Sequence, residues 1–190
     1  MATTSVFDES FSMDTFPWKT FKKGTFEACQ FVGITFDKID FSNCTFEDCT
    51  FEECDLSFTI LGNTSLKNVD FIGCKMLGIN FEHVNPFNLE WSYENCKLDN
   101  SIFFSVAMPK SQFLGSSLKD CLFENNKLKK SSFINCDLLG ANWVNNQLQE
   151  SKFHGSVNLQ LSPEINQLKK AEFEINQLPG LLAQTGIHIS

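Results

Sequence analysis

Residues 26–51 read FEACQFVGITFDKIDFSNCTFEDCTF, with phenylalanine at every fifth position: Phe26, Phe31, Phe36, Phe41, Phe46 and Phe51. A step of five suits neither regular element. Five residues of α-helix turn through about 500°, so successive rings would drift around the axis by about 140°. In a strand, an odd step sends every other ring to the opposite face. The spacing fits a backbone that turns a corner every five residues and points one large side chain inward from each short side. Self-similarity at a fixed period marks a solenoid.

The ruler extends in both directions. Phe11, Phe16 and Phe21 precede it in phase, and Leu56, Leu61, Leu66, Phe71, Met76 and Phe81 follow. The register breaks within residues 82–92, EHVNPFNLEWS, and resumes two residues late at Tyr93. From there it runs through Leu98, Phe103, Met108, Phe113, Leu118, Phe123, Leu128, Phe133, Leu138, Trp143 and Leu148 to Phe153. Two extra residues and Pro86 fit a bulge or short loop on one corner. A second track of compact residues lies two positions before each centre, as at Cys29, Ile34, Cys44, Cys49, Cys54, Thr59, Thr64, Cys96, Ser101 and Asn126. The remaining positions of each pentad are mostly polar.

Composition narrows the function. The chain has 190 residues, 21 Phe against one Tyr, no arginine, and a net charge of −8. Nucleic-acid binders collect Lys and Arg to displace phosphate counterions, so direct nucleic-acid binding is not expected. An acidic chain is drawn instead to basic surfaces. No apolar run approaches a membrane span and the first residues carry no secretory pattern, so a cytoplasmic protein with reduced cysteines is expected.

The tandem pattern small–x–Phe/Leu–x–x, as in CTFEDCTFEECDL and SSFINCDLLGANW, resembles the pentapeptide-repeat family over roughly residues 6–158. The resemblance implies an all-β fold: a right-handed quadrilateral parallel β-helix, four pentads and twenty residues per coil, with a short C-terminal helical cap. A twenty-residue stack places Phe31, Phe51, Phe71 and Trp91 above one another, and likewise Phe113, Phe133 and Phe153, and Phe103, Phe123 and Trp143. It sets Glu47 beneath Lys67 and Asp55 beneath Lys75. Seven to eight coils at the ordinary inter-strand spacing make a rod roughly 35–40 Å long. The β-helix is expected over residues 1–161 and a cap or dimerisation tail over 162–190. In that tail Pro179 opens a short helix to about Gln184, and Gly186 ends it.

The sequence offers no catalytic constellation. The cysteines fall on different walls of the coil rather than converging as zinc ligands do. Stacked pairs such as Cys29 with Cys49, or Cys54 with Cys74, lie within disulfide reach, yet the inward track and a reducing compartment favour buried free thiols. His83, His154 and His188 are scattered, and no glycine-rich phosphate loop is present. A filled, narrow coil leaves no room for a substrate. The expectation is therefore a protein that is not an enzyme and carries no cofactor or metal.

The exterior remains. Residues 24–74 hold nine acids and two lysines, and residues 97–152 hold five acids and seven lysines. The chain resembles the pentapeptide-repeat proteins that protect bacterial type II topoisomerases, including the Qnr quinolone-resistance group and the microcin B17 immunity protein. The Pro163-Glu164-Ile165-Asn166 element is similar to one in the latter. What this resemblance implies is an acidic rod that imitates DNA on DNA gyrase or topoisomerase IV. The contact acids would be Asp37, Asp40, Glu47, Asp48, Glu52, Glu53 and Asp55. It also implies a homodimer joined end to end through Leu178, Leu181, Leu182, Ile187 and Ile189. The same tail also reads as a cap over the open end of a solenoid. The alternative function is a rod-shaped scaffold module with an unrelated protein partner.

Overall fold

A computed structural model describes residues 4–16, 23–87, 89–183 and 185–187. Phe21, Gln184, His188 and Ile189, all named above, lie outside them. The described residues form fourteen short strands: β1 (Thr4–Phe7), β2 (Ser10–Ser12), β3 (Gly24–Glu27), β4 (Gln30–Val32), β5 (Thr45–Glu47), β6 (Thr50–Glu52), β7 (Ser65–Lys67), β8 (Val69–Ile72), β9 (Trp91–Glu94), β10 (Ile102–Phe104), β11 (Gln112–Leu114), β12 (Leu122–Glu124), β13 (Ser132–Ile134) and β14 (Asn142–Val144). A 3-10 turn (Ile175–Gln177) and one helix, α1 (Leu178–Leu182), follow. Every strand pairing is parallel, and partners are twenty residues apart on either side of the break, as in Phe26↔Phe46 and Phe103↔Phe123. This is the quadrilateral β-helix that the five-step requires.

The corners show why the step is five. Two residues after each centre the backbone takes a left-handed turn, at Asn43, Asp48, Asn63, Asn68, Asn95, Asn125 and Asn135 among others, with φ of 50–62°. Asn, Asp and Gly are the residues that enter this region at least cost. Each turn redirects the chain onto the next wall after one short strand or bridge.

Four walls result. The first carries Val6, Phe26, Phe46 and Leu66, then Met108, Leu128, Leu148 and Leu168 beyond the break. The second carries Phe31, Phe51, Phe71, Tyr93, Phe113, Phe133 and Phe153. The third holds Phe36, Leu56, Met76 and Leu98, and the fourth Phe41, Leu61, Phe81, Phe103, Phe123 and Trp143. Nearly all of these centres are buried. On the second wall the rings from Phe11 to Phe173 stack with centroids 4.6–5.4 Å apart and planes within 18°. Phe103, Phe123 and Trp143 stack on the fourth wall at 4.7 and 4.2 Å. The two columns meet edge to face, as in Phe113–Phe123 at 6.2 Å and 89°. Stacked and perpendicular contacts are the two arrangements that the ring quadrupole favours.

The expected column Phe31–Phe51–Phe71–Trp91 needs correction: Tyr93, not Trp91, stacks on Phe71, at 5.1 Å and 9°. Across the break the repeat is twenty-two residues, so Trp91 pairs with Val69 on the compact track. Its indole N–H donates to the Leu66 carbonyl at 2.8 Å. The extra length lies on the first wall, where residues 82–87 and 89–90 form a loop in place of a strand. Val84 and Leu89 turn inward and Phe87 points out, 74% exposed. The four-stranded sheet β1-β3-β5-β7 therefore ends there, while the seven-stranded sheet of the second wall runs through the break unbroken.

Tyr93 is the one tyrosine, and its buried hydroxyl has no hydrogen-bond partner among the described residues. Burial drives its pKa well above the ordinary tyrosine value. An unpaired buried hydroxyl costs about 1–3 kcal/mol. Tyr93→Phe keeps the ring stack and removes that cost, so it is expected to stabilise the chain by about 1 kcal/mol in a denaturant titration.

The coil also continues past the expected boundary at 161. Gln167 bridges Gln147 and Glu172 bridges Lys152, so Leu168 and Phe173 form a last partial coil. Leu168 and Phe173, five residues apart, both stand at coil centres, so the coil runs on beyond 161.

Candidate functional site

Among the described residues no group of His, Cys, Asp or Glu converges to hold a metal, and no helix is long and apolar enough to cross a membrane. The lumen is filled. Among the described residues a small gap, about 10 Å³, lies where Leu56, Leu61 and Leu66 replace phenylalanine. Any ligand must therefore be met by the outer surface or the ends.

All eight cysteines are buried free thiols. The compact track does more than fit. Its thiols, hydroxyls and amides donate to the carbonyl of a centre in the coil below: Cys54 to Phe31 at 3.3 Å, Ser156 to Phe133 at 2.8 Å, Asn146 to Phe123 at 2.8 Å. The sequence signal for this was the interchange of Cys, Ser, Thr and Asn on one track, which share a donor rather than a volume. Burial pushes the thiols of Cys49 and Cys121 up to about 12 and that of Cys136 up to about 11. Because all eight sulfurs are sealed from solvent, the folded chain is expected to leave the reagent DTNB unconsumed. The eight thiols should titrate only after denaturation.

The seven predicted contact acids all reach the surface but do not share a wall. Glu47 lies on the first wall and Asp48 on the corner after it, Glu52 on the second wall and Glu53 on its corner. Asp55 and Asp37 belong to the third wall and Asp40 to the fourth. The five-step itself disperses them, since acids five residues apart occupy successive walls. Glu47, Asp48, Glu52 and Glu53 adjoin one another across two neighbouring walls, and Asp37 and Asp55 occupy adjacent rungs of the third.

Most of them are engaged. Glu47 pairs with Lys67, and Asp55 with Lys75 at 2.9 Å, as the twenty-residue stack requires. Asp48 accepts from Asn68 at 2.6 Å, Asp40 pairs with Lys23 at 3.2 Å, and Asp37 pairs with Lys38 at 3.0 Å. Hydrogen bonds from Ser42, joined by Lys23, hold the Asp40 carboxyl below its ordinary value. Partial burial acts to raise Asp55, but hydrogen bonds from Ser57 and Lys75 outweigh it, and it too is lowered. Glu52 and Glu53 are exposed and make no ion pair among the described residues.

The C-terminal tail closes the lower end. Gln177 is buried, and its amide donates to the Phe153 and Ser156 carbonyls at 2.6 and 2.7 Å, doing for the last coil what the compact track does above. Leu181 of α1 is buried, and Leu182 is half-buried. Gly180 brings the α1 backbone onto residue 159, where a Cβ would overlap the Leu159 carbonyl oxygen. Leu178 and Ile187 remain exposed, as does Ile175.

Comparison with known proteins supplies a context. The family model described as pentapeptide repeat region matches residues 19–90 and 46–133, together more than half of the chain. No curated protein matches. Two trypsin-treated variants of QnrB1, a plasmid-mediated fluoroquinolone resistance protein, align over 99% of this chain and 98% of theirs. They do so at TM-scores of 0.56 and 0.57 with 16% and 17% identity. HetL, a pentapeptide repeat protein involved in heterocyst differentiation regulation from the cyanobacterium Nostoc sp. strain PCC 7120, aligns over 77% of this chain and 84% of its own. Its TM-score is 0.49 and its identity 12%. At such identities the likeness is one of fold.

Proposed function

The chain belongs to the pentapeptide-repeat family, and from that premise we propose that it is a non-enzymatic binding rod. Its acidic N-terminal half takes the place of DNA on a basic protein surface, the DNA-binding saddle of DNA gyrase or topoisomerase IV, and so protects the enzyme from a poison. The observation that carries this reading is the segregation of charge along a solid rod: residues 24–74 hold nine acids against two lysines. Charge on a lumen-filled solenoid is useful only outward, where it steers association with a basic partner. Glu52 and Glu53 offer the least committed carboxylates. The fluoroquinolone-resistance role of the fold neighbour QnrB1 supports the choice of partner. The exposure of Ile175, Leu178 and Ile187 supports end-to-end pairing of two copies through the capped end.

The test is a supercoiling assay with purified gyrase, with and without fluoroquinolone. Wild-type protein should restore supercoiling in the presence of drug, and Glu52→Lys/Glu53→Lys should lose that effect. Neither protection nor inhibition at micromolar protein would reject the topoisomerase reading.

One observation favours the second reading, a scaffold with an unrelated partner. A groove of about 310 Å³ on the fourth wall is lined by Phe58, Ile60, Gly62, Gly78, Asn80 and His83. Phe58 and Ile60 are each more than half exposed. Capture of a partner that is lost in Ile60→Asp but kept in Glu52→Lys/Glu53→Lys would favour it.

A further inference from the structure

The first wall differs from the other three. It is the wall that the loop at residues 82–87 and 89–90 interrupts, and the loop sits at its midpoint. Val6, Phe26, Phe46 and Leu66 centre the rungs on one side, and Met108, Leu128, Leu148 and Leu168 those on the other. The charges divide at the same place. Before the loop, this wall and its following corner carry Asp8, Glu27, Glu47 and Asp48 against Lys67. After it they carry Lys110, Lys127, Lys129, Lys130, Lys169 and Lys170 against Glu150. Six of the fifteen lysines of a chain with net charge −8 thus gather on half of one wall. All six are exposed, and Lys127, Lys169 and Lys170 form no ion pair among the described residues.

From this arrangement we infer that the first wall is a self-recognition surface. Two copies pack side by side and antiparallel, about a two-fold axis that lies in the plane of the wall and crosses the rod at the loop.

The register of the wall carries the argument. Such an axis reverses the rod direction but keeps left and right along each strand. The second rung before the loop then meets the second rung after it, same side to same side, so Glu47 and Asp48, which within their own chain hold Lys67 and Asn68, face Lys129 and Lys130 of the second copy, which there share the single carboxylate of Glu150. The fourth rungs bring Asp8 opposite Lys170. On the third rungs Glu27 meets the neutral Gln149. On the first rungs Lys67 meets Pro109, and Lys67 is already neutralised by Glu47. Lys110 meets Asn68 and is held by Glu90 at 3.0 Å. No rung sets two unpaired like charges face to face, and every favourable contact occurs twice, as an isologous interface requires. Phe87, 74% exposed on the loop, lies beside the axis and meets its own equivalent.

A single narrow wall buries less than the roughly 1,600 Å² of a standard interface. Charge pairing rather than area must therefore hold the contact, and salt must weaken it. The inference is independent of the topoisomerase reading, and its test involves no partner enzyme.

Sedimentation velocity reads the contact in the full chain, carrying Leu178→Glu/Ile187→Glu so that end-to-end pairing does not contribute. A dimer is expected at about 50 mM salt and a shift to monomer, about tenfold or more in Kd, near 500 mM. Lys129→Glu/Lys130→Glu alone and Glu47→Lys/Asp48→Lys alone should each be monomeric. An equimolar mixture of the two should recover a heterodimer, because both sets of charges are again opposed. Circular dichroism melts confirm that each variant is folded, and recovery in the mixture cannot come from misfolded chains. A monomer at low salt would overturn the inference, as would a dimer indifferent to the charge reversals or reversed variants that fail to recover one another. Binding of monomeric protein to duplex DNA through the same lysines would overturn it too, by making the wall a polyanion site.

Discussion

Phe133→Ala is expected to destabilise the chain by about 3–5 kcal/mol, the range of fully buried phenylalanine truncations. Phe133 is wholly buried between Phe113 at 4.7 Å and Phe153 at 5.0 Å, with Phe123 and Trp143 edge-on at 5.9 and 5.2 Å. The stacks fix the neighbours on both sides, so the coil cannot collapse into the space and the cavity persists. Phe133→Leu should cost less, about 1–1.5 kcal/mol, because leucine retains most of the volume. A urea titration of both variants checks the order. Since each coil of a solenoid contacts only its neighbours, a loss here should also loosen the C-terminal coils before the N-terminal ones. Amide exchange resolves that directly.

Asn146→Ala is expected to rival it, although it removes no apolar surface. Asn146 is fully buried in a column with Asn126 and Asn166. Its amide donates to the Phe123 carbonyl at 2.8 Å, and its side-chain oxygen accepts from the Asn126 backbone N–H at 3.0 Å. Alanine leaves the Asn126 N–H buried without its acceptor, at about 1–3 kcal/mol, and removes the side-chain donor to the Phe123 carbonyl, which keeps its ladder partner on β14, at about 1 kcal/mol. The sum, about 2–4 kcal/mol, far exceeds the loss on removing a surface amide. Asn146→Ser should recover part of it, since serine serves the same role at Ser116, which donates to the Tyr93 carbonyl at 3.2 Å. A variant series Asn, Ser, Ala in one denaturant experiment separates donor loss from volume loss.

That contrast marks what could be read from residues alone. The five-step exposed the corner-turning backbone, the inward rings and the pairs Glu47–Lys67 and Asp55–Lys75, because all of these follow from spacing. The donor role of the compact track was read as small volume. Cys, Ser, Thr and Asn differ in size yet share a polar hydrogen, and only the carbonyl positions of the coil below reveal its use. Trp91 was misplaced because a twenty-residue count was carried through a break that adds two residues. Leu168 and Phe173 kept the ruler after the pattern around them had faded, so the coil ran on beyond residue 161. The acids were grouped by nearness in sequence, whereas a coil with four walls sends neighbours in sequence to different sides. The same geometry gathers Lys129, Lys130, Lys169 and Lys170, which no local window brings together.

The account rests on one claim, that function lies in the charged outside of a solid rod. Its most direct test is the binding of immobilised gyrase by the full chain, measured at low and high salt for wild type and for Glu52→Lys/Glu53→Lys. The account predicts saturable binding that weakens as salt rises and falls sharply in the charge-reversed variant. Absence of binding at micromolar protein, or binding that neither salt nor charge reversal alters, would contradict it.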